Sequence, residues 1–184
     1  PAPGGGAVTA AVGAIASALG HMVTSYSKGK KSLAAHAEIH ETASKALANA
    51  SNALLQLADE DAAAYSLVNE LQKLPAEDSR RGAELPQAAQ TAVDVPLSVI
   101  AVCSDVLRHL ESLVGTSNHY LRSDLAIAAE LTHAAASASV WNVRINVPLL
   151  EELGQGEGVI DRAEQMVRDA SKRRDGIVKS ISVL

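Results

Sequence analysis

The sequence is strongly apolar but almost free of aromatic side chains, and this combination restricts how its core can be built. Hydrophobic residues make up 47% of the 184 residues, aromatic residues make up only 2%, and phenylalanine is absent. Such a core must be filled by alanine, leucine, valine and isoleucine, and helices lined with alanine approach each other closely. We therefore expect a single, tightly packed domain over residues 1–184, a length sufficient to bury a core.

The apolar periodicity is helical throughout, and no alternating run bounded by turn residues predicts a strand. The patterns predict helices over residues 7–26, 32–74, 85–114, 123–147 and 159–184. The second pattern fits either one long helix or two helices with a kink near Asp59. Pro96 predicts a kink or break in the third, because proline removes a helix hydrogen bond. The expected fold class is an all-α bundle of about five to seven helices without a sheet.

The first predicted helix is apolar on all sides, which indicates a central position in the bundle. Gly13, Ser17 and Gly20 supply small positions where neighbouring helices can come close. Residues 75–82 are expected to form a loop, and Gly115 fits the C-terminal cap of the third helix. The fourth helix is expected to begin at an N-cap, residue 123 or 124, and to end before Pro148.

Charge and cysteine content exclude several classes of protein. The formal net charge is −5, and no basic stretch interleaved with aromatic residues predicts nucleic-acid binding. A single cysteine, Cys103, excludes an internal disulfide and favours a cytoplasmic location. The uncharged run over residues 7–23 is rich in alanine and glycine and has no basic region before it. We therefore expect neither a membrane span nor a signal peptide.

Several motifs resemble reactive or metal-binding sites without meeting their requirements. His36 and His40 are four residues apart, but the glutamate between them is misplaced for the zinc motif H-E-x-x-H, and no third ligand is evident. We expect a solvated helix face there and no metal site. The sequence GKKS lacks the upstream glycine of a phosphate-binding loop, and Cys103 gives no sign of being a nucleophile.

Asp61 is the polar residue most out of place. Leu54, Ala58, Asp61, Tyr65 and Val68 follow spacings of four, three, four and three, so they share one face of a helix. A carboxylate within an apolar stripe must be paired, protonated or functional, because an unpaired buried charge is costly. The spacing alone leaves open a helix-to-helix hydrogen bond or a catalytic role.

Asn142 and Asn146 form a second polar pair within the stretch WNVRIN. They are four residues apart, so their amides lie on one helix face, roughly opposite Arg144. Two aligned amides can recognise the donor and acceptor groups at the edge of a heterocycle. They can equally tie the end of a helix to its neighbour, and the spacing favours this structural role.

Seven short blocks occur together in a fixed order. They are PAPGGG, GKK at residues 29–31, DEDAAAY at 59–65, KLP at 73–75, VPL at 95–97, RSDLAIAA at 122–129 and WNVRIN at 141–146. In this order and spacing, the sequence resembles the cyclodeaminase/cyclohydrolase family of folate enzymes. That family includes the cyclodeaminase half of formiminotransferase-cyclodeaminase and the stand-alone methenyltetrahydrofolate cyclohydrolases.

The resemblance implies an all-α homodimer that acts on a tetrahydrofolate derivative and needs no metal or further cofactor. A cyclodeaminase expels ammonia from 5-formiminotetrahydrofolate to form 5,10-methenyltetrahydrofolate, whereas a cyclohydrolase adds water to that methenyl compound. The residues do not separate the two reactions. Because the chain begins within the glycine block, the family's preceding helix is expected to be absent. A second catalytic domain is not expected in 184 residues, so any formiminotransferase step would take place elsewhere.

The resemblance also implies roles for individual residues. Asp61 corresponds to the catalytic aspartate of the family, with a general acid or base role. Gly4, Gly5 and Gly6 are interpreted as a wall of the folate site, where bare backbone lets a flat ring approach; the alternative is a flexible entry loop. Five further residues are interpreted as contacting substrate: Lys30, Lys31, Asp124, Asn142 and Asn146.

Two considerations limit this interpretation. Residues 124 and 142 are separated by about 27 Å along one helix, so they cannot reach one reacting centre unless a second subunit contributes. The lysines at positions 30 and 31 can meet the carboxylates of folate or can be solvated loop residues. A non-catalytic helical binding or scaffold protein of the same fold is the competing function, because a buried polar residue is also compatible with a structural role.

Overall fold

The structure is a computed structural model that describes residues 4–183, and this part of the chain contains helices and turns but no strand. The α-helices are α1 (Gly5–Ser25), α2 (Ala37–Gln72), α3 (Ser79–Ser112), α4 (Arg122–Glu152) and α5 (Val159–Val183). Two short 3₁₀ helices, Lys31–His36 and His119–Leu121, precede α2 and α4. The predicted all-α fold class is confirmed.

Helices α1 to α4 form an antiparallel four-helix bundle, and α5 packs against α3 and α4. Side-chain hydrogen bonds fix the register between α1 and its neighbours. Ser17 on α1 donates to the carbonyl of Leu47 on α2 at 3.0 Å. Ser139 on α4 donates to the hydroxyl of Thr9 on α1, also at 3.0 Å. The N-terminus of α1 therefore lies beside the C-terminal halves of both α2 and α4.

Small residues on α1 allow the close packing that the composition predicts. A Cβ atom added at Gly20 would lie 2.6 Å from Cδ2 of Leu110, and one added at Gly13 would lie 3.1 Å from Sγ of Cys103. The prediction that α1 is central is only partly correct. Its outer face remains exposed, with Val8 48% and Ile15 65% accessible, because no described helix covers that side.

Helix α2 is one continuous helix, and α3 begins earlier than predicted. Asp78 caps α3 by accepting hydrogen bonds from the backbone N–H groups of Arg80 at 2.8 Å and Arg81 at 3.2 Å. Residues 79–82 therefore belong to a helix and not to the expected loop. The cap satisfies donors that otherwise have no partner at a helix start, so the helix can extend to this point.

The beginning of α4 also differs from the prediction. The helix starts at Arg122, and its N-cap residue, Leu121, provides no side-chain hydrogen bond. Asn118 instead caps the preceding 3₁₀ helix, where its side chain accepts from the N–H of Tyr120 at 3.3 Å. Neither residue 123 nor Asp124 is the N-cap. Gly115 has a φ of +70° after the end of α3, which agrees with its predicted role in ending that helix.

Prolines lie inside two helices, although a kink or break was expected at Pro96 and the fourth helix was expected to end before Pro148. Helix α4 continues past Pro148, and α3 continues past both Pro86 and Pro96. A proline at position 96 leaves the carbonyl of Ala92 without its usual helical donor. The side-chain amide of Asn146 on α4 supplies that donor, at 2.7 Å from the Ala92 oxygen. The bundle thereby compensates for the defect, and the helix is not interrupted.

We predict that Asn146→Ala lowers the free energy of unfolding by about 1–3 kcal/mol, because it leaves a buried carbonyl without a donor. In a Pro96→Ala background the restored N–H can satisfy Ala92, so the same substitution should cost less. Urea denaturation of the four proteins in this double-mutant cycle measures the difference. An equal cost in both backgrounds would contradict the compensation.

Candidate active site

Asp61 lies where the C-terminal half of α2 passes the N-terminus of α1. Its carboxylate accepts a hydrogen bond from the backbone N–H of Ala7, in the first turn of α1. The N-cap position of that helix is Gly4, which has extended backbone and no side chain to cap the helix. Asp61 therefore acts as a tertiary cap, supplied by a neighbouring helix to the positive end of the α1 dipole.

Gly6 is what permits this contact. A Cβ atom added at Gly6 would lie 2.6 Å from Oδ2 of Asp61 and would overlap the rest of the carboxylate. A Cβ atom added at Gly4 would have no such conflict, because no heavy atom lies within 4 Å of its position. The flexible-loop interpretation is wrong for Gly5 and Gly6, which lie in the first turn of α1. Pro1–Pro3, the beginning of the same sequence block, lie outside the described residues.

The environment of Asp61 favours its protonated form. Partial burial raises the pKa of the carboxyl group, and the hydrogen bond from the Ala7 N–H opposes that change to a smaller extent. The net direction is upward from the ordinary aspartate value. A carboxyl group with a raised pKa retains its proton closer to neutral pH and can exchange it with a bound ligand.

A cavity of about 1020 Å³ opens beside Asp61. Residues 4–6 and Asp61 line one end, and Asn142 and Asn146 of α4 line a second wall. The third wall follows α2 from Asp61 to Lys73. Helix α1 begins opposite Asp61, so the part of α2 that follows Asp61 has no contact with α1. The cavity lies beside this part of α2.

The apolar stripe predicted around Asp61 is only partly correct. Leu54 is fully buried, but Tyr65, one turn beyond Asp61, is 69% exposed and lines the cavity. Asp61 therefore faces an open cavity and not a closed core. The periodicity identified the correct helix face, but the sequence contains no local signal for where the neighbouring helix begins.

The two asparagines differ in their environment. The side-chain oxygen of Asn142 approaches Gly5, where an added Cβ atom would lie 3.3 Å from it. Asn146 uses its amide nitrogen to satisfy Ala92, which is the structural role that its spacing favoured. Both side chains nevertheless line the cavity, so Asn142 is better placed than Asn146 to offer an amide to a ligand.

Three candidates for substrate contact lie away from the cavity of the same chain. Lys30 and Lys31 follow the C-terminal end of α1, about 30 Å from Gly6 along a helix of this length. Asp124 lies in the first turn of α4, at the same end of the bundle. Within one subunit, the structure does not bring these three residues together with Asp61, Gly6 and Asn142.

Sequence reasoning did not assign a role to Lys73, which lines the end of the cavity opposite Asp61. The residue belongs to the KLP block, and it is the C-cap of α2, twelve positions after Asp61. In a continuous helix this spacing places Lys73 about 18 Å from Asp61. The sequence left open whether α2 is continuous, so it could not predict this position.

The histidine and cysteine residues are not arranged for metal binding or nucleophilic catalysis. Among residues 4–183, no group of three or more His, Cys, Asp or Glu is positioned to hold a metal ion. His40 is 1% exposed, and its Nε2 lies 2.8 Å from the Thr116 carbonyl, so the expected solvated face is wrong for this residue. Burial raises the pKa of the Cys103 thiol to about 12, which keeps it protonated.

Comparison with known proteins identifies the family. The family profile described as formiminotransferase-cyclodeaminase matches residues 1–165. The chain belongs to the formiminotransferase-cyclodeaminase family. The predicted family resemblance is therefore confirmed, over a range that contains all seven sequence blocks.

Two members of the formiminotransferase-cyclodeaminase family align with this chain over different fractions of their own length. The formimidoyltransferase-cyclodeaminase of Gallus gallus is 31% identical over 86% of this chain but only 33% of its own length, so the chain spans about a third of that relative. The methenyltetrahydrofolate cyclohydrolase of Methylorubrum extorquens is 27% identical over 98% of this chain and 89% of its own.

A solved structure in the family agrees with the fold described above. It is the crystal structure of formiminotetrahydrofolate cyclodeaminase from Thermotoga maritima, with a TM-score of 0.74 and 34% identity. The match covers 97% of this chain and 90% of that chain. The bundle is therefore shared over nearly the full length of both proteins.

We predict that Gly6→Ala displaces the Asp61 carboxylate and breaks its hydrogen bond with the Ala7 N–H. Gly176→Ala is the control, because a Cβ atom added there, inside α5, meets nothing within 4 Å. Gly6→Ala should lower the free energy of unfolding by about 1–3 kcal/mol through overpacking, whereas Gly176→Ala should raise it by up to about 1 kcal/mol, because alanine has the higher helix propensity. Denaturant unfolding of both variants measures this, and equal effects would contradict the proposed contact.

Proposed function

We propose that this chain catalyses a reaction at the one-carbon bridge of a tetrahydrofolate derivative, as a cyclodeaminase or a cyclohydrolase, with Asp61 as the general acid or base. The observation that carries the proposal is the position of Asp61. A carboxyl group of raised pKa is held at the start of α1 and faces a cavity large enough for a folate. The names of the cyclodeaminase and cyclohydrolase relatives support the same substrate class.

The two reactions place different demands on Asp61. In ring closure of a formimino compound, N10 attacks the formimino carbon and loses its proton, the imino nitrogen gains two protons, and the bond from carbon to that nitrogen breaks to release ammonia. One of the two protons can be the one that N10 loses, and a protonated Asp61 supplies the other. In hydrolysis of the methenyl compound, water adds to the bridging carbon and gives a proton to an ionised Asp61; the bond from carbon to N5 then breaks as the new hydroxyl becomes the formyl carbonyl and its proton passes to N5. A pKa raised by burial and limited by the Ala7 N–H leaves both forms accessible.

The glycine block supports binding of a flat ring beside Asp61. Gly4 is exposed and has no heavy atom near its missing Cβ position, so a ligand can approach the backbone there. The N–H groups at the start of α1 add donors and a positive dipole end. The side-chain oxygen of Asn142, close to Gly5, can accept a hydrogen bond from the amino group of such a ring.

We further propose that the chain forms a homodimer through an exposed apolar surface on α1 and α4, here called the α1/α4 face. Helix α1 contains no Asp, Glu, Lys or Arg. The exposed apolar side chains of the two helices are Val8, Ile15, Ile127, Leu131, Trp141 and Ile145, the last 76% accessible. Where exposed apolar side chains on neighbouring helices form a contiguous surface, that surface normally marks an interface.

A two-fold symmetric pairing through this face would complete the candidate site. Because α1 and α4 are antiparallel, each subunit carries Asp61 at one end of the face and Asp124 at the other. In an antiparallel dimer the partner subunit's Asp124 would approach the Asp61 end. Within one chain, residues 124 and 142 are about eighteen helical residues, or 27 Å, apart and cannot act together. In the dimer, residue 124 of one subunit would instead approach residue 142 of the other.

We propose that the reaction needs no metal and no cofactor beyond the folate substrate, and that the protein is cytoplasmic without membrane or nucleic-acid partners. Helices α1 and α3 are long and apolar enough, by length and composition alone, to cross a membrane. Half of each apolar window is nevertheless buried inside the bundle, and a dimer would cover the exposed part of α1.

Asp61→Asn is expected to keep the fold and lower turnover by about 10²–10⁴-fold, because the amide keeps the shape but cannot exchange the proton. The near-ultraviolet absorbance of methenyltetrahydrofolate provides the assay. Its appearance from 5-formiminotetrahydrofolate with ammonia release would identify a deaminase, and its loss faster than in buffer would identify a hydrolase. Neither change with the folded wild-type protein would contradict the enzymatic proposal and favour a scaffold.

The pH profile then assigns the role of Asp61. Because its pKa is raised, the transition should lie above the range of an ordinary aspartate. An acid role predicts a rate that falls as pH rises through this pKa, and a base role predicts a rate that rises. The pH dependence should disappear in Asp61→Asn, and its persistence would assign the transition to another group.

The dimer is tested by placing a charge in the middle of the α1/α4 face. Ile15→Glu should give a monomer by light scattering and lose activity, because the ionised side chain cannot be buried unpaired in the interface. Leu55→Glu on α2 is the matched control, since Leu55 is 51% exposed outside this face. A monomeric wild-type protein at micromolar concentration would rule the dimer out.

Sharing of the site between subunits has a separate test. Asp61→Asn and Asp124→Asn chains, each inactive alone, are mixed and allowed to exchange subunits. Half of the dimers are then hybrids, and each hybrid has one site with both native carboxylates, so about one site in four is restored. No recovery of activity after demonstrated exchange would show that Asp61 and Asp124 do not act across the interface.

A further inference from the structure

Lys73 lies at the end of the cavity opposite Asp61, and it is the cavity's only lining side chain with a permanent positive charge among the described residues. It is exposed and follows the last residue of α2 as its C-cap. The other acidic residue of the lining, Glu70, does not neutralise it, because Glu70 is bound to Arg80 at 2.5 Å. The cavity therefore has a carboxyl group at one end and an ammonium group at the other.

The remaining cations near the turn between α2 and α3 are already engaged. Arg80 contacts both Glu70 and Glu84, and Arg81 donates to the carbonyl of Leu74 at 2.7 Å. No ion pair of Lys73 occurs within residues 4–183. A ligand anion at this end of the cavity would therefore meet an ammonium group that no protein carboxylate already occupies.

The distance between the two ends suits an elongated ligand. Twelve residues separate Asp61 from Lys73, which corresponds to about 18 Å along α2. Lys73 has helical backbone angles at the C-cap of α2, so a side chain that leans toward the helix N-terminus, as helical side chains do, would shorten this span. Between the two ends, the exposed ring of Tyr65 and the side chain of Leu149 provide an apolar path.

We propose that Lys73 binds a carboxylate of the glutamate tail of the folate, while the one-carbon bridge lies at Asp61. This assignment rests on the proposed function and deepens it. The benzoyl ring of such a substrate passes Tyr65, and the tail carboxylates reach the ammonium group, where a charge-assisted hydrogen bond forms. Lys73 is thus a specificity residue for the glutamylated substrate and takes no part in the chemical step. It replaces Lys30 and Lys31 as the tail-binding residue.

The test compares a ligand that has the tail with one that lacks it. Dissociation constants of tetrahydrofolate and tetrahydropteroate are measured by calorimetry for the wild type, Lys73→Met and Lys73→Arg. Methionine keeps the length of the side chain and removes its charge. Lys73→Met should weaken tetrahydrofolate binding about tenfold and leave tetrahydropteroate binding unchanged. Lys73→Arg should retain most of the affinity, and the difference should shrink at high ionic strength.

Two further variants define the controls. Lys179→Met removes an exposed charge on α5, far from the cavity, and should change neither dissociation constant. A double Lys30→Ala, Lys31→Ala variant should leave the preference for the glutamylated ligand intact. In turnover assays, Lys73→Met should raise KM for the glutamylated substrate with kcat unchanged, because the interaction is the same in the ground and transition states.

The outcomes separate failure of this assignment from failure of the proposed function. The Lys73 assignment alone would be overturned if Lys73→Met weakened the binding of both ligands equally or weakened the binding of neither. It would also be overturned if the Lys30→Ala, Lys31→Ala variant no longer bound tetrahydrofolate more tightly than tetrahydropteroate. If the folded wild type binds neither ligand, the proposed folate function is overturned and this assignment with it.

Discussion

The contact between Asp61 and the first turn of α1 is the interaction on which the candidate site depends. It requires a residue without a Cβ atom at position 6, because a methyl group there would overlap the carboxylate. It also requires that α1 begin there, so that its free N–H groups face α2. The same arrangement ends the packing between α1 and α2 and leaves space for the cavity. One close approach therefore positions the carboxyl group, caps the helix and determines where a ligand can bind.

The properties that follow from residue spacing within one helix were predicted well. The helical periodicity and the scarcity of aromatic residues predicted an all-α bundle with close helix packing, and Gly13 and Gly20 confirm the latter directly. Asp61 was identified because a single carboxylate interrupts an apolar spacing. These properties depend on residues within one helix, where three- and four-residue spacings determine which side chains share a face.

Features that depend on a second helix were not accessible from the sequence. Pro96 predicts a kink or a break, and the break does not occur because Asn146, fifty residues later, satisfies the carbonyl of Ala92. The charge-free sequence of α1 predicts burial on all sides, yet Ile15 is 65% exposed because no described helix covers it. Lys73 gained a possible role only when the continuity of α2 placed it at the far end of the cavity. Each of these outcomes depends on which neighbour is present, and periodicity carries no such information.

The environment of Asp61 balances two opposing influences that acid–base chemistry needs. Burial favours the neutral acid, while the Ala7 N–H and the positive end of α1 favour the carboxylate. Because the folded-state pKa is raised, the folded protein binds this proton more tightly than the unfolded chain, so stability falls as pH rises through that pKa. Stronger burial without a donor would keep the group protonated and unable to accept a proton. More donors would favour the ionised form, which cannot give a proton, so the proposed acid or base role depends on the balance between burial and a single backbone N–H.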